Sequence, residues 1–249
     1  PVGTSEDQKC KNAISQVNTA IRAKFGNDVS VFLQGSYRNN TNVRQDSDVD
    51  IVVRHDGYFF PDLQRLNEEQ KMIYHANHPS SSYTFAQFKD EVEQVLRNTF
   101  GTVTRKNKCV FVPGNSNRVN ADVVPCFKLK RFANETRIEA EGIQFYADDG
   151  TTINSFPEQH YANGVTKRSA TGQMYKKIVR IFKKLKSEMV EANSISDKLV
   201  SSFVIECLVY NVPNDHFVSG NYSQSLKNVI TRIYNDMDDA AKGNEYVEV

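Results

Sequence analysis

The sequence predicts an α+β protein in which a sheet-based lobe comes first and a helical lobe follows. Three observations carry that prediction. The β-branched runs "VSVFLQ" (29–34) and "DVDIVVR" (48–54) read as strands, the second nearly all apolar after its aspartates, as in a strand covered on both faces. "TVTRKNKCVFV", the turn "PGNSN" and "RVNADVVPCFKLK" read as one long hairpin. From Thr171 onward the spacing becomes helical, with Met174, Ile178, Ile181, Phe182, Leu185 and Met189 on one face and a further helix in "KLVSSFVIECLVYNV".

The remaining elements follow in order. Glu6 to Lys24 carries Ile14, Val17 and Ile21 at helical spacing and stops at Gly26-Asn27. Ser36 to Gln45, rich in Asn and Thr, supports at most two helical turns. Phe85, Phe88, Val92, Val95 and Leu96 mark a helix from about Phe85 to Asn98, and a second hairpin turns at Ala147 to Gly150. The acidic end "NDMDDAAKGNEYVEV" reads as a frayed helix or tail with no role.

Composition narrows the function classes. At 249 residues, with 39% hydrophobic and 24% charged, the chain can bury one large core or two modest ones. Its 31 basic and 30 acidic residues nearly cancel, so phosphate chemistry must rest on local clusters rather than on a global field. Cys10, Cys109, Cys126 and Cys207 are too scattered for a disulfide framework or a zinc site, which predicts reduced thiols and a cytoplasmic protein. His75 and His78 lack further metal ligands nearby and read as a solvated loop before Pro79. With no apolar run of about 18 residues and no leader-like start, neither membrane spanning nor secretion is expected.

The carboxylates point to the chemistry. In a strand, residues i and i+2 share a face, so Asp48 and Asp50 stand together. Two carboxylates about 4 Å apart repel by roughly 4 kcal/mol at an effective dielectric of about 20. Solvent or a cation must relieve that, and oxygen ligands favour magnesium or manganese. Asp122, in an otherwise apolar strand, would complete a cluster able to hold two divalent ions, serving either as general base or as a ligand of the ion that activates the attacking hydroxyl. Gly35-Ser36 supplies a turn at which backbone amides and a hydroxyl can approach a phosphate.

These residues resemble the nucleotidyltransferase superfamily that includes DNA polymerase beta: Gly-Ser, a paired-aspartate strand, then a third aspartate on a later strand. The chain is similar in particular to the cGAS/DncV-like nucleotidyltransferases of bacteria (CD-NTases) through "GSYRNNTNVRQDSDVDIVV", "NADVVP", "FPEQHYANG", "YKKIVRIFKKLK" and "SSFVIECLVYNVP", covering most of residues 33 to 213.

The resemblance implies a polymerase beta-like sheet lobe at residues 1–165 and a helical lobe at 166–249 that completes the donor nucleotide site. It implies NTP substrates, two Mg2+ ions (or Mn2+) on Asp48, Asp50 and Asp122, and a cyclic di- or trinucleotide product made in antiphage (CBASS-type) signalling and read by a separate effector. Matching the Arg-apolar-apolar-Lys phrase places the triphosphate lysine at Lys183 and the partner serine at Ser202, with Ser201 as the alternative. Phe203 falls where an aromatic ring stacks on the donor base in related enzymes. From the residues alone, most basic groups of that helix read as a solvated face, and Ser201 as a helix cap that leaves Ser202 for phosphate. The zinc-binding insert of the animal enzyme has no counterpart here, which argues against activation by DNA. Two other readings stand beside this one: a template-independent or 2′-5′ oligoadenylate-type synthetase, which would want an extended basic groove, and a catalytically silent scaffold, against which the three aspartates count.

Overall fold

The computed structural model describes residues 4–43 and 48–249. The chain forms two compact units, one of residues 4–37 and 48–157, the other of 38–43 and 158–249.

In the first unit, α1 (Thr4–Phe25) buries Cys10, Ala13, Val17, Ala20 and Ile21 at spacings of three and four and ends at Gly26, whose φ of +59° suits a residue without a Cβ. β1 (Val29–Gln34) runs into a single turn, α2 (Gly35–Arg38), and the chain returns as β2 (Val49–Asp62). Arg44 to Ser47, the end of the Asn/Thr-rich segment together with the serine of the Ser-Asp-Val-Asp phrase, lie outside the described residues. β2 starts at Val49, so Asp48 precedes the strand instead of opening it. Ile51, Val52 and Val53 are all fully buried, as expected for a strand covered on both faces.

With β3 at Thr104–Arg105, β4 at Val110–Val112 and β5 at Ala121–Phe132, the sheet has the order β1-β2-β5-β4-β3; β6 (Ile138–Tyr146) pairs the far half of β5 and β7 (Thr152–Ser155) pairs β6. β2 and β5 are parallel neighbours, and the other pairings are antiparallel. Pro125 falls between the β4 pairing, which ends at Val123, and the β6 pairing, which begins at Phe127. The residue without an N–H thus sits where one edge of β5 has no partner strand. α4 (Phe85–Phe100), opened by a Thr84/Gln87 capping box, packs Phe88, Val92 and Leu96 into the same core as α1.

Two readings change. "TVTRKNKCVFV" is no single strand: it folds back as β3 (Thr104–Arg105) and β4 (Val110–Val112), and the Lys106 N–H donates to the Cys109 carbonyl at 2.8 Å. Asn107 in this turn is held by Asp149, which takes its side-chain N–H at 2.8 Å and returns a backbone N–H at 3.0 Å. His75 lies in the last turn of a helix, α3 (Glu68–Asn77), not in a loop; His78 follows that helix before Pro79 and stacks on Tyr74 at 4.1 Å, and both histidines are exposed.

The second unit contains α5 (Pro157–Ala170), α6 (Met174–Glu191), α7 (Ser202–Asn211), α8 (Tyr222–Asp238) and the short α9 (Ala240–Gly243). Helix therefore begins at Pro157, ahead of Thr171. Met174, Tyr175, Ile178, Val179, Val209, Val212, Phe217 and Val229 form the core. The α6 stripe is buried only in its first half, since Leu185 and Met189 are exposed. The acidic end is folded back: Asp236, buried, accepts from Arg232 and Tyr246, and Asn211 exchanges hydrogen bonds of 2.7 and 3.0 Å with the Val247 backbone.

Candidate active site

The aspartate strands place Asp50 directly beside Asp122. The two are in register on parallel β2 and β5, so both side chains rise from the same face of the sheet. Gln34, at the end of β1, pairs with Asp50 from the other side. There the chain turns through Gly35 at a φ of +69°, and a Cβ on this residue would sit 2.0 Å from the Asp50 Oδ2. Gly35 is thus required by the carboxylate next to it as well as by the turn. The Gly-Ser turn is pinned from behind by Tyr37, whose hydroxyl donates to the Asp7 carboxylate of α1 at 2.5 Å.

Asp48 accepts from the Asn120 side chain at 3.1 Å, two residues before Asp122; Asn120 itself is fixed by the Gly114 N–H at 2.7 Å and accepts the Val49 N–H on its carbonyl. On the outer side of Asp122 stands a residue that sequence reasoning missed. Lys106, from the β3–β4 turn, donates to the Asp122 Oδ1 at 2.9 Å and lies 4.2 Å from the centre of the Phe111 ring. Phe111 is the β4 residue paired with Asp122. Partial burial works against the Lys106 charge, but Asp122 outweighs it and raises the Lys106 pKa. Burial, with the nearby Asp122 charge, pushes the Cys109 thiol up to about 12, so it stays protonated at neutral pH.

These residues fit a hard divalent cation. The donors are carboxylate oxygens, Gly35 gives the Asp50 carboxylate the space that a side chain would otherwise fill, and an ammonium already stands against Asp122. Among the described residues no three acidic, imidazole or thiol groups converge on one point. The geometry explains this, because Asp48 is drawn to Asn120 and Asp122 to Lys106.

In the helical unit, Lys183 is buried, its ammonium 2.5 Å from Glu206 Oε1 and 3.2 Å from Thr41 Oγ1. Lys176 is buried too, against the Tyr161 ring, so neither belongs to a solvated face. Ser201 caps α7 by accepting the Val204 N–H at 3.2 Å, which leaves Ser202 as the first helical residue, exposed. Phe203 is 41% exposed, with its ring edge against His160.

Glu206 is the hub of this unit, also missed. It accepts from Lys183, from Thr41 at 2.8 Å and from His160 at 3.0 Å, while Asn39 meets the same imidazole at 3.2 Å. Burial opposes its charge, but His160 and Lys183 more than compensate and hold the carboxyl down at about 2. The available signal was a lone carboxylate within "FVIECLVY", which needs a partner for the same reason as Asp122.

Comparison with known proteins bears on this arrangement. Residues 14–145 match the nucleotidyltransferase domain, and residues 162–249 match the cGAS/DncV-like nucleotidyltransferase C-terminal helical domain. Over its whole length the chain is 59% identical to a cyclic dipurine nucleotide synthase of Elizabethkingia meningoseptica, covering 85% of that protein. The solved structure of Elizabethkingia meningoseptica CdnE cyclic dinucleotide synthase with GTP and Apcpp matches at a TM-score of 0.84 and 55% identity, over 100% of this chain and 84% of that one. The Rhodothermus marinus CdnE c-UMP-AMP synthase with Apcpp and Upnpp matches at 0.79 and 30%, over 94% and 83%. The sheet with its Gly-Ser turn and facing aspartates is that of a nucleotidyltransferase. The chain belongs to the cGAS/DncV-like nucleotidyltransferases, as its motifs led one to expect. No helix among the described residues is long and apolar enough to cross a membrane.

Proposed function

We propose that the protein joins two purine nucleoside triphosphates into a cyclic dinucleotide with release of pyrophosphate, as a signal in bacterial antiphage defence read by a separate effector. The observation that carries the chemistry is the Asp50–Asp122 register beside a glycine that cannot be enlarged. The choice of purines is supported by full-length identity to a relative named as a dipurine synthase.

In this reading a ribose hydroxyl oxygen attacks the α-phosphorus of a bound triphosphate. The bond to the bridging oxygen breaks, and pyrophosphate leaves. Asp48, Asp50 and Asp122 would hold divalent cations, magnesium or manganese, with Asp122 either taking the proton of the attacking hydroxyl or ligating the ion that activates it. When bound, these ions neutralise the phosphates and lower the pKa of the attacking hydroxyl. Gly35 and Ser36 receive the phosphates with backbone N–H and hydroxyl donors. Lys183 and Ser202 hold the donor triphosphate, and Phe203, exposed and flat, stacks on its base. For Lys183 this means exchanging Glu206 for a phosphate. Closing the ring repeats the first step with the roles of the two nucleotides exchanged.

The test is incubation with magnesium and pairs of labelled NTPs, followed by mass analysis and phosphatase treatment. The expected product contains only purines and resists phosphatase. A product that loses all terminal phosphate overturns the cyclic assignment, and one rich in pyrimidines overturns the base choice. Pyrophosphate release undiminished by Asp48→Asn and Asp50→Asn would sink the mechanism.

A further inference from the structure

The Asp122 carboxylate has an ammonium, that of Lys106, at hydrogen-bond distance. That ammonium is well placed to stay. The Lys106 backbone is fixed by its N–H bond to Cys109 in the β3–β4 turn, and the side chain lies across Phe111, the strand partner of Asp122. Its side chain is 43% exposed and that of Asp122 is 24% exposed, so the pair can open toward solvent without unpacking the core. A cation over an aromatic face keeps part of its stabilisation when the carboxylate leaves it.

We propose that Lys106 is a tethered counter-cation: it holds Asp122 in the metal-free protein and gives way when a divalent ion takes that carboxylate, so that it sets the metal affinity of the site. The proposal rests on the cation-binding reading given above. Lys106 is a positioning residue here, since it acts through Asp122. No bond is made or broken; one positive charge replaces another at the same oxygen. Without the Lys106 charge the incoming ion neither displaces an ion pair nor meets the repulsion of the ammonium. Removing the charge should therefore tighten cation binding about tenfold.

The experiment is a titration of the full chain with Mn2+ in the absence of nucleotide, free Mn2+ being read from its electron paramagnetic resonance signal. Lys106→Met is expected to bind about tenfold more tightly than the parent protein. Lys106→Arg should return close to the parent value, and Asp122→Asn combined with Lys106→Met should lose the gain. Equal or weaker binding by Lys106→Met, with Asp122→Asn still weakening it, overturns the counter-cation role and leaves the cation site standing. If the parent, Asp50→Asn and Asp122→Asn all bind alike, the carboxylates hold no cation, and the proposed mechanism falls together with this inference.

Discussion

The Asp50 carboxylate occupies the space in which Gly35 would carry a side chain: a Cβ there would lie 2.0 Å from Oδ2. Gly35→Ala must displace either the turn or the carboxylate, and its φ of +69° adds strain of about 1–2 kcal/mol. The expected result is a melting temperature lowered by only several degrees, with pyrophosphate release reduced on the order of 100-fold or more, the size of losing one preorganised group. Wild-type turnover in Gly35→Ala would show that Asp50 is not needed where it stands.

Much of this site was legible because its demands are local. Gly35, Asp48, Asp50 and Asp122 sit where β-branched runs meet polar residues; the period of two put Asp48 beside Asp50, whereas β2 begins only at Val49 and it is Asp122, in register on β5, that stands beside Asp50. What escaped notice has physical reasons. α3 buries Tyr74 alone, so it has no apolar stripe; its signal was the Asn67/Gln70 capping box. α5 buries only Gly164, and Pro157 at its first position was the cue. Lys106 was invisible because a turn of three polar residues hides which of them reaches back to a neighbouring strand. The burial of Lys176 and Lys183 depends on tertiary partners that no periodicity encodes.

Ser36→Ala should lower the rate of pyrophosphate release roughly 100-fold if its hydroxyl meets developing charge on the phosphate. Asp50→Asn should cost more, since it removes the carboxylate at the centre of the β1, β2 and β5 pairings. Both are read by coupled pyrophosphate assay under saturating NTP. A Ser36→Ala protein slowed less than about threefold would remove this residue from the phosphate site.

Glu206 should make the helical unit acid-sensitive. Its carboxyl falls from an ordinary 4.5 to about 2 in the folded protein, so the stabilisation it gives is complete above the unfolded value and is lost as pH falls from 4.5 toward 2. Thermal melts across that window should show a decline that Glu206→Gln flattens. The same variant leaves the buried Lys183 short of its anion and should lower the melting temperature at pH 7. A parallel decline in both proteins would assign the acid sensitivity elsewhere.

Asp148 joins two parts of the sheet unit. It accepts from the buried Lys89 at 2.7 Å and from Arg105 at 2.9 and 3.0 Å, and these partners, Arg105 foremost, hold its pKa at about 2. Asp148→Asn deprives the buried Lys89 ammonium of its counter-charge, leaving it neutral acceptors such as the Asn107 carbonyl, and should cost about 2 kcal/mol in urea unfolding. An unchanged urea midpoint would mean that solvent already screens the pair.

The six residues 38–43 belong with 158–249 although they follow directly on the Gly-Ser turn. Thr41 and Asn39 are the pieces of that excursion that complete the Glu206 network. A gene fragment encoding only the last third of the protein would therefore yield a helical bundle with an incomplete interior, and limited proteolysis in the 38–43 segment should release no independently stable fragment. Exchanging the helical unit between relatives therefore calls for moving this short excursion along with the helices it serves.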